Sequence, residues 1–160
     1  MQWADVLRDQ SLQDLPYKIE LNEWGQIVMS PASNRHASLQ GEVYWILRNR
    51  MAGGKVLTEC SVETDAGVKV LDVAWCSSEF FQKQGFTTPY PEAPELCVEI
   101  VSPSNSDRQL REKMALYFRR GAKECWLVSE EGRVRFFSAD GEQERSGLLQ
   151  DIGSVLTWDA

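Results

Sequence analysis

The chain has 160 residues, of which 42% are hydrophobic and 26% charged, and its formal net charge is −7. This length suits one domain, 1–160, and the apolar content excludes a disordered or collagen-like chain. No run reaches the ~18 consecutive apolar residues that a membrane span needs, and the N-terminus lacks the pattern of a signal peptide. We therefore expect a soluble, cytoplasmic domain with no membrane partner.

The first part of the chain predicts a short helix or arm, a hairpin and a long helix. The opening residues are weakly patterned up to Pro16. The stretch that follows, YKIELNEWGQIVMSP, alternates polar and apolar residues around Gly25, which is typical of two short strands joined by a turn. Asn34 is the predicted N-cap of a helix over 35–50, along which apolar residues recur at helical spacing.

The middle of the chain predicts three strands, which read KVLTECSV, VKVLDVAWC and ELCVEIV. A proline-rich loop separates the last two. Their nearly continuous apolar character predicts central strands that are covered on both faces.

The last part predicts a helix over 106–120 that ends at Gly121, then a buried strand, ECWLVS. The segment GRVRFFSADGEQERS predicts a hairpin that turns at Asp140-Gly141. The elements together predict an α/β fold in which helices flank a mixed central sheet, with hairpins at its periphery.

The cysteines occupy positions 60, 76, 97 and 125 without a CxxC pair. A zinc ribbon or finger would need closely spaced ligand pairs. Each cysteine lies in an apolar, β-branched stretch, where a thiol behaves as a small hydrophobe. We therefore predict reduced cysteines in the core.

Positive charge is concentrated in residues 106–123, which hold six Lys and Arg against two acids. A local basic surface on an acidic body suits a confined anionic substrate better than broad coating of nucleic acid, because phosphate contacts need an excess of Lys and Arg. The same charges also suit the solvated face of a helix.

Two carboxylates interrupt apolar strands, Asp72 in VKVLDVAWC and Glu99 in LCVEIV. A carboxylate removed from water is costly unless a cation or hydrogen bonds compensate. If the two strands are neighbours in register, both side chains point the same way, and a divalent cation would relieve their repulsion. Alternatively, each carboxylate is salt-bridged or faces water.

Lys113 is a candidate third member of a site with Asp72 and Glu99. It lies beside the apolar residues that are predicted to face the core from the helix after the Glu99 strand. Its side chain either extends outward along apolar neighbours or meets the buried acids. Two carboxylates and a lysine around a metal form a phosphodiester-cleaving arrangement. The metal polarises the phosphate and activates water, and the ammonium stabilises developing negative charge or positions the water.

Weaker candidates are His36, for proton transfer, and Glu42 and Glu59, as additional ligands. Each is equally consistent with a structural or surface role. The chain has no GxGxxG or P-loop pattern, which disfavours a nucleotide cofactor.

The sequence resembles the Uma2 family, a domain of unknown function abundant in cyanobacteria and assigned to the PD-(D/E)XK nuclease superfamily. The resemblance spans about residues 17–157 and is carried by ELNEWGQIVMSP, NRHASLQGEV, GVKVLDVAW, PELCVEIVSPSNS and EKMALYFRRGAKECWLV. It implies a restriction-endonuclease-like fold with a four-stranded mixed central sheet, a divalent metal and a DNA substrate.

The resemblance also implies roles for individual residues. The motif aspartate falls on Asp72, where Leu71 replaces the usual preceding proline, and the second acid falls on Glu99. The superfamily places a lysine two residues later, where this chain has Val101. The family takes its lysine from the next helix, at the position of Lys113.

The leading hypothesis is a metal-dependent endonuclease acting on DNA, in which Asp72 and Glu99 bind Mg²⁺ (or Mn²⁺) and Lys113 assists catalysis. The basic face of the helix over 106–120 would contact phosphates, and a homodimer would suit cleavage of both strands. One alternative is a nuclease-like fold without hydrolysis that serves as a DNA-binding or assembly module. Another is an enzyme acting on RNA or on a small phosphodiester.

Overall fold

The computed structural model describes residues 1–156, so residues 157–160 of the predicted domain lie outside the described range. The helices are α1 (Trp3–Arg8), α2 (Asn34–Arg50), α3 (Ser78–Gln84) and α4 (Asp107–Arg119), with a 3₁₀ turn at Gln10–Leu12. The strands are β1 (Tyr17–Leu21), β2 (Ile27–Pro31), β3 (Lys55–Thr64), β4 (Gly67–Cys76), β5 (Leu96–Ile100), β6 (Glu124–Val128), β7 (Val134–Ser138) and β8 (Gly141–Gln143).

Six strands form one mixed sheet in the order β3-β4-β5-β6-β7-β8. Only β5 and β6 pair in parallel, and the helix α4 makes the crossover between them. This confirms the predicted α/β class with its mixed, helix-flanked sheet. β1 and β2 form a separate antiparallel hairpin, as predicted, and β1 packs against β4.

Helices cover both faces of the central sheet. On one face, Leu39, Val43 and Leu47 of α2 pack into a core with residues of β4, β5 and β6. On the other face, α4 packs into a second core that contains all four cysteines. The thiols are free and buried, which confirms the prediction of reduced core cysteines.

Two predicted elements differ in detail from the structure, and one short helix was not predicted. The hairpin β7–β8 was expected at the periphery, but β7 pairs with β6 and extends the central sheet. The first of the three predicted central strands, β3, lies at the sheet edge and is partly exposed. The segment before the proline-rich loop forms α3, a short helix that is capped by Ser77 and anchored by the buried Phe80.

Helix boundaries follow from side-chain caps. Ser106 and Gln109 form a reciprocal capping box at the start of α4. α2 begins one residue earlier than predicted, because the Oγ of Ser33, not the side chain of Asn34, accepts the hydrogen bond from the His36 backbone N–H.

The regular alternation of β4 is interrupted at Asp72. Ala74 packs in the core on the α4 side, and Val73 packs in the core on the α2 side. Simple alternation would place Leu71 with Val73, but Leu71 packs on the α4 side. On the neighbouring strand, opposite Asp72, Glu59 has a left-handed backbone with φ of 51°. Such local irregularity re-aims side chains and is common beside functional sites.

The helices described within residues 1–156 include none with the length and apolar character of a membrane span.

Glu124, at the start of the interior strand β6, is a buried carboxylate that holds the segment after β8. It accepts hydrogen bonds from Trp126 Nε1 at 2.6 Å and from the backbone N–H groups of Gly147 and Leu148 at 2.9 and 3.0 Å. These bonds fasten the segment after β8 to β6. The carboxylate is therefore structural, and its donors would be left unpaired without it.

We predict that Glu124→Ala lowers the free energy of unfolding by about 3 kcal/mol, because buried donors left without acceptors cost roughly 1–3 kcal/mol each. Urea denaturation of the variant and the wild-type protein measures this difference. Glu144→Ala, which removes an exposed carboxylate from the same region, is the control. Equal stability of the two variants would contradict the assigned role of Glu124.

Candidate active site

Asp72 and Glu99 lie side by side in the middle of the sheet. β4 and β5 are antiparallel neighbours that pair Val73 with Val98, and the next pair in this register is Asp72 with Glu99. Both side chains are buried, with exposed fractions of 1% and 6%. The backbone N–H of Ile100 donates to Asp72 Oδ2 at 2.7 Å, so the two strands also hold the orientation of this carboxylate.

Lys113 reaches this pair from α4. Its Nζ lies 3.0 Å from Glu99 Oε1 and 2.9 Å from Oε1 of Glu20. The hydroxyl of Tyr117, one turn further along α4, donates to the same Glu99 oxygen at 2.6 Å. Of the two orientations left open for Lys113, the structure has the one directed at the buried acids, so the three predicted site residues lie together.

Sequence reasoning missed two members of the cluster, Lys18 and Glu20, which both belong to β1. The Nζ of Lys18 lies 2.9 Å from Asp72 Oδ1 and 3.3 Å from Glu99 Oε2, and thus bridges the two carboxylates. Glu20 Oε1 accepts from the backbone N–H of Val70 at 2.8 Å. The sequence contained one indication of these two residues. Lys18 and Glu20 are two positions apart in β1 and therefore point to the same side of the strand, but such a pair of charges is also normal on a strand face exposed to solvent.

The start of α2 closes another side of the cluster. Nε2 of His36 lies 3.1 Å from Asp72 Oδ1. One turn later, Nε2 of Gln40 donates to Glu59 Oε1 at 2.7 Å and to the backbone oxygen of Asp72 at 2.9 Å. His36 and Glu59 therefore adjoin the site, and both line its cavity, whereas Glu42 is not among the lining residues.

A cavity of about 910 Å³ gives access to the cluster. Its walls come from the β1–β2 hairpin, the start of α2, the centre of the sheet and the loop after β5. The charged or titratable side chains that line it are Tyr17, Lys18, Glu20, His36, Glu59, Asp72, Glu99, Lys113 and Glu130. A ligand in this cavity would meet both carboxylates and both ammonium groups.

The carboxylates differ in acidity because their surroundings differ. Burial alone would raise the pKa of Asp72, but the hydrogen bond from His36 and the charge of Lys18 hold it well below its usual range. For Glu99, burial outweighs the attraction of Lys113 and Lys18 and raises the pKa. Glu99 is therefore the more readily protonated member of the pair.

The cationic groups are held in their charged forms. Burial would lower the pKa of Lys113, but the charge of Glu99 opposes it and the pKa is raised. The pKa of Lys18 is raised too, because Glu99 and Asp72 outweigh the effect of burial. The hydrogen bond to Asp72 likewise raises the pKa of His36, against the opposing effect of burial.

The donor chemistry of the cluster suits a hard divalent cation. Within residues 1–156, no group of three or more His, Cys, Asp or Glu residues is arranged so that it could hold a metal ion. Mg²⁺, however, keeps several waters and is commonly bound through one or two carboxylates. Asp72 and Glu99 supply two carboxylates within reach of a single cation, as their shared contact with the ammonium of Lys18 demonstrates.

The arginines of α4 and of its C-cap are paired with acidic side chains, and their predicted contact with phosphates stays a prediction. Arg108 and Arg111 each form an ion pair within the helix, with Glu112 and Asp107 respectively. At the C-terminal end of the helix, Arg119 and the C-cap residue Arg120 share the carboxylate of Asp65. The paired acids offset much of the positive charge, and the alternative of a solvated helix face describes the exposed part of α4 better.

A family model and a solved structure resemble this chain. The sequence model of the Uma2 family, described as "putative restriction endonuclease", matches residues 9–155. The crystal structure of a "putative nuclease belonging to DUF820" from Anabaena variabilis ATCC 29413 has a TM-score of 0.62 and 18% sequence identity, covering 86% of this chain and 79% of that chain. At this identity, the likeness shows a shared fold. No curated protein matches the sequence.

We predict that His36, the single histidine of the chain, titrates above the ordinary value of about 6.5 and that Asp72→Asn lowers its pKa. The proton NMR resonances of His36 measure its pKa directly.

The same interaction makes stability depend on pH. Because the pKa of His36 is raised in the folded state, its contribution to the free energy of unfolding is complete below the unfolded-state pKa and is lost as the pH rises through the folded-state pKa. The stability advantage of wild type over His36→Asn should therefore shrink in that interval. A His36 pKa that is the same in Asp72→Asn would contradict this coupling.

Proposed function

The chain belongs to the Uma2 family, and we propose that it is a divalent-metal-dependent endonuclease that hydrolyses DNA phosphodiester bonds. The observation that carries this proposal is the convergence of Asp72, Glu99 and Lys113 at the base of one cavity, from two adjacent strands and a helix. Buried groups of opposite charge that line a cavity are typical of catalytic sites. The restriction-endonuclease description of the family supports the same reaction class.

Asp72 and Glu99 would hold Mg²⁺ or Mn²⁺, which when bound polarises a phosphate oxygen and lowers the pKa of a coordinated water. The protein fixes these carboxylates through independent contacts. The Ile100 amide orients Asp72, and the Tyr117 hydroxyl orients Glu99. Such supporting hydrogen bonds hold ligands in place and tune their basicity.

Lys113 would act as a positive charge and hydrogen-bond donor. Its raised pKa keeps it protonated, so it suits stabilisation of the negative charge that develops on the phosphate, or donation of a hydrogen bond to the attacking water, but not proton abstraction. Glu20 helps to position it, because its carboxylate lies 2.9 Å from the Lys113 ammonium. In this proposal, Lys113 of the helix would take the role that the resemblance implies for a lysine on the strand.

DNA is the proposed substrate, with RNA and small phosphodiesters as the competing classes. An acidic chain has little long-range attraction for a polyanion, and the basic residues of α4 are largely paired with acids. Substrate phosphates are therefore expected to be bound inside the cavity rather than across that helix. A homodimer would place two such cavities on opposite strands of a duplex.

We predict that Asp72→Asn and Glu99→Gln abolish plasmid cleavage in Mg²⁺ or Mn²⁺, since each removes a carboxylate charge that holds the metal. Lys113→Met should lower the cleavage rate about 100-fold, the usual cost of losing one charged group that stabilises a transition state. Glu144→Gln, at an exposed position, should leave the rate unchanged. A chelator should stop cleavage by the wild-type protein.

The same assay separates the remaining hypotheses. Competition by RNA or a dinucleotide that exceeds competition by DNA would reassign the substrate. Wild-type protein that binds DNA in a salt-dependent way but cuts nothing would favour the binding or assembly module, for which the internal pairing of lysines and carboxylates in the cluster is the supporting observation. Full cleavage by Asp72→Asn would refute the proposed site.

A further inference from the structure

Lys18 occupies a position in the cluster that the proposed mechanism does not use. Its Nζ lies between the two carboxylates proposed as metal ligands, 2.9 Å from Asp72 Oδ1 and 3.3 Å from Glu99 Oε2. The side chain is 13% exposed and borders the cavity. An ammonium that contacts both carboxylates stands where one cation would bridge them.

We propose that Lys18 is a built-in competitor of the divalent cation. Its ammonium bridges Asp72 and Glu99 in the metal-free protein and must leave them when the cation binds. This inference rests on the proposed function, because it assumes that these two carboxylates are the metal ligands. The inference adds Lys18 of β1 as a residue that sets metal affinity, although it lies outside β4, β5 and α4.

The need for Lys18 follows from the charge balance. Asp72 and Glu99 face each other across adjacent strands, and both are buried. Two carboxylates so close repel each other unless one is protonated or a cation lies between them. Lys18 provides that cation from within the chain and keeps both side chains in place before metal arrives.

Displacement should select Lys18 rather than Lys113, because their remaining partners differ. Both described ion pairs of Lys18 go to the proposed ligands, Asp72 and Glu99. Lys113 contacts Glu99 but also Glu20, at 2.9 Å. When a divalent cation binds Asp72 and Glu99, Lys113 still has Glu20 as an ion-pair partner. Lys18 loses both of its partners and is repelled by the positive charge of the cation.

The side chain of Lys18 has space to move into. β1 forms one wall of the cavity, and Tyr17, Lys18 and Glu20 all line it. A lysine carries four rotatable side-chain bonds on a flexible stem, so its ammonium can leave the carboxylates without movement of the strand. Once released, it would project into the space proposed for the substrate phosphate.

Calorimetric titration with Mn²⁺ alone tests the competition. We expect Lys18→Met to bind Mn²⁺ at least about tenfold more tightly than the wild-type protein, within the usual range of coupling between two binding events. Lys69→Met is the matched control, because it removes one positive charge from β4 close to the cluster, and the described hydrogen bond of Lys69 goes to the Leu21 backbone oxygen. Its affinity should stay near that of the wild type. Equal affinities of the two variants would overturn the proposal.

A second measurement uses the unaltered protein, in case Lys18→Met does not fold. Acetic anhydride labels exposed amines, and peptide mass spectrometry reports the modified fraction at each lysine. Saturating Mn²⁺ should raise the labelling of Lys18 several-fold and leave Lys69 unchanged. Labelling of Lys18 that does not change while Mn²⁺ binds would show that its ammonium stays on the carboxylates, which overturns the proposal.

The two proposals fail in different ways. If the wild-type protein binds Mn²⁺ and cuts DNA but Lys18→Met binds no more tightly, only the competition is refuted. If neither protein binds Mn²⁺ and neither cuts DNA, both the nuclease function and the competition are refuted. Tighter binding by Lys18→Met together with metal-dependent labelling of Lys18 supports both the location of the metal and its competitor.

Discussion

The pairing of buried carboxylates with lysines is the constraint on which the rest of this structure depends. Asp72 and Glu99 cannot both be charged in the middle of a sheet without cations beside them, and the chain supplies Lys18 and Lys113 from two different elements. The ion pairs between these lysines and the carboxylates hold both the β1–β2 hairpin and α4 against the sheet. His36 adds a contact from the start of α2. The cluster thus joins three elements to the central strands, and the cavity lies where they meet.

The irregularity in the two neighbouring strands gives the cluster its geometry. A regular β4 would aim Asp72 at the core beneath α4, among the cysteines. The interruption of alternation at Asp72, matched by the left-handed backbone of Glu59 opposite it, places the carboxylate where Lys18, His36 and the Ile100 amide all reach it. Gln40 ties the two irregular segments together through Glu59 and the Asp72 backbone. Energetically unfavourable backbone at such a position is most often retained for function.

The distribution of charge also decides how an anionic ligand would approach. The chain is acidic overall, and exposed arginines near α4 are paired with Asp65, Asp107 and Glu112. The ammonium groups directed at the cavity belong instead to Lys18 and Lys113. Binding would therefore be confined to a few phosphates at the cavity, which suits a cleaving enzyme better than a protein that coats nucleic acid.

The sequence by itself determined the fold class, from its order of predicted elements, and the family, from its resemblance to Uma2. It also singled out Asp72, Glu99 and Lys113 as candidates, because a charge inside an apolar strand or beside the apolar face of a helix is conspicuous in a linear pattern. It also determined the core cysteines, because each lies in an apolar stretch of its own strand, whereas the N-cap of α2 was misassigned by one residue. Only the tertiary structure decided that β1 packs against β4 and brings in Lys18 and Glu20, and that Arg119 and Arg120 pair with Asp65. These features depend on contacts between residues far apart in the chain, for example 54 positions between Lys18 and Asp72. No local periodicity records such contacts.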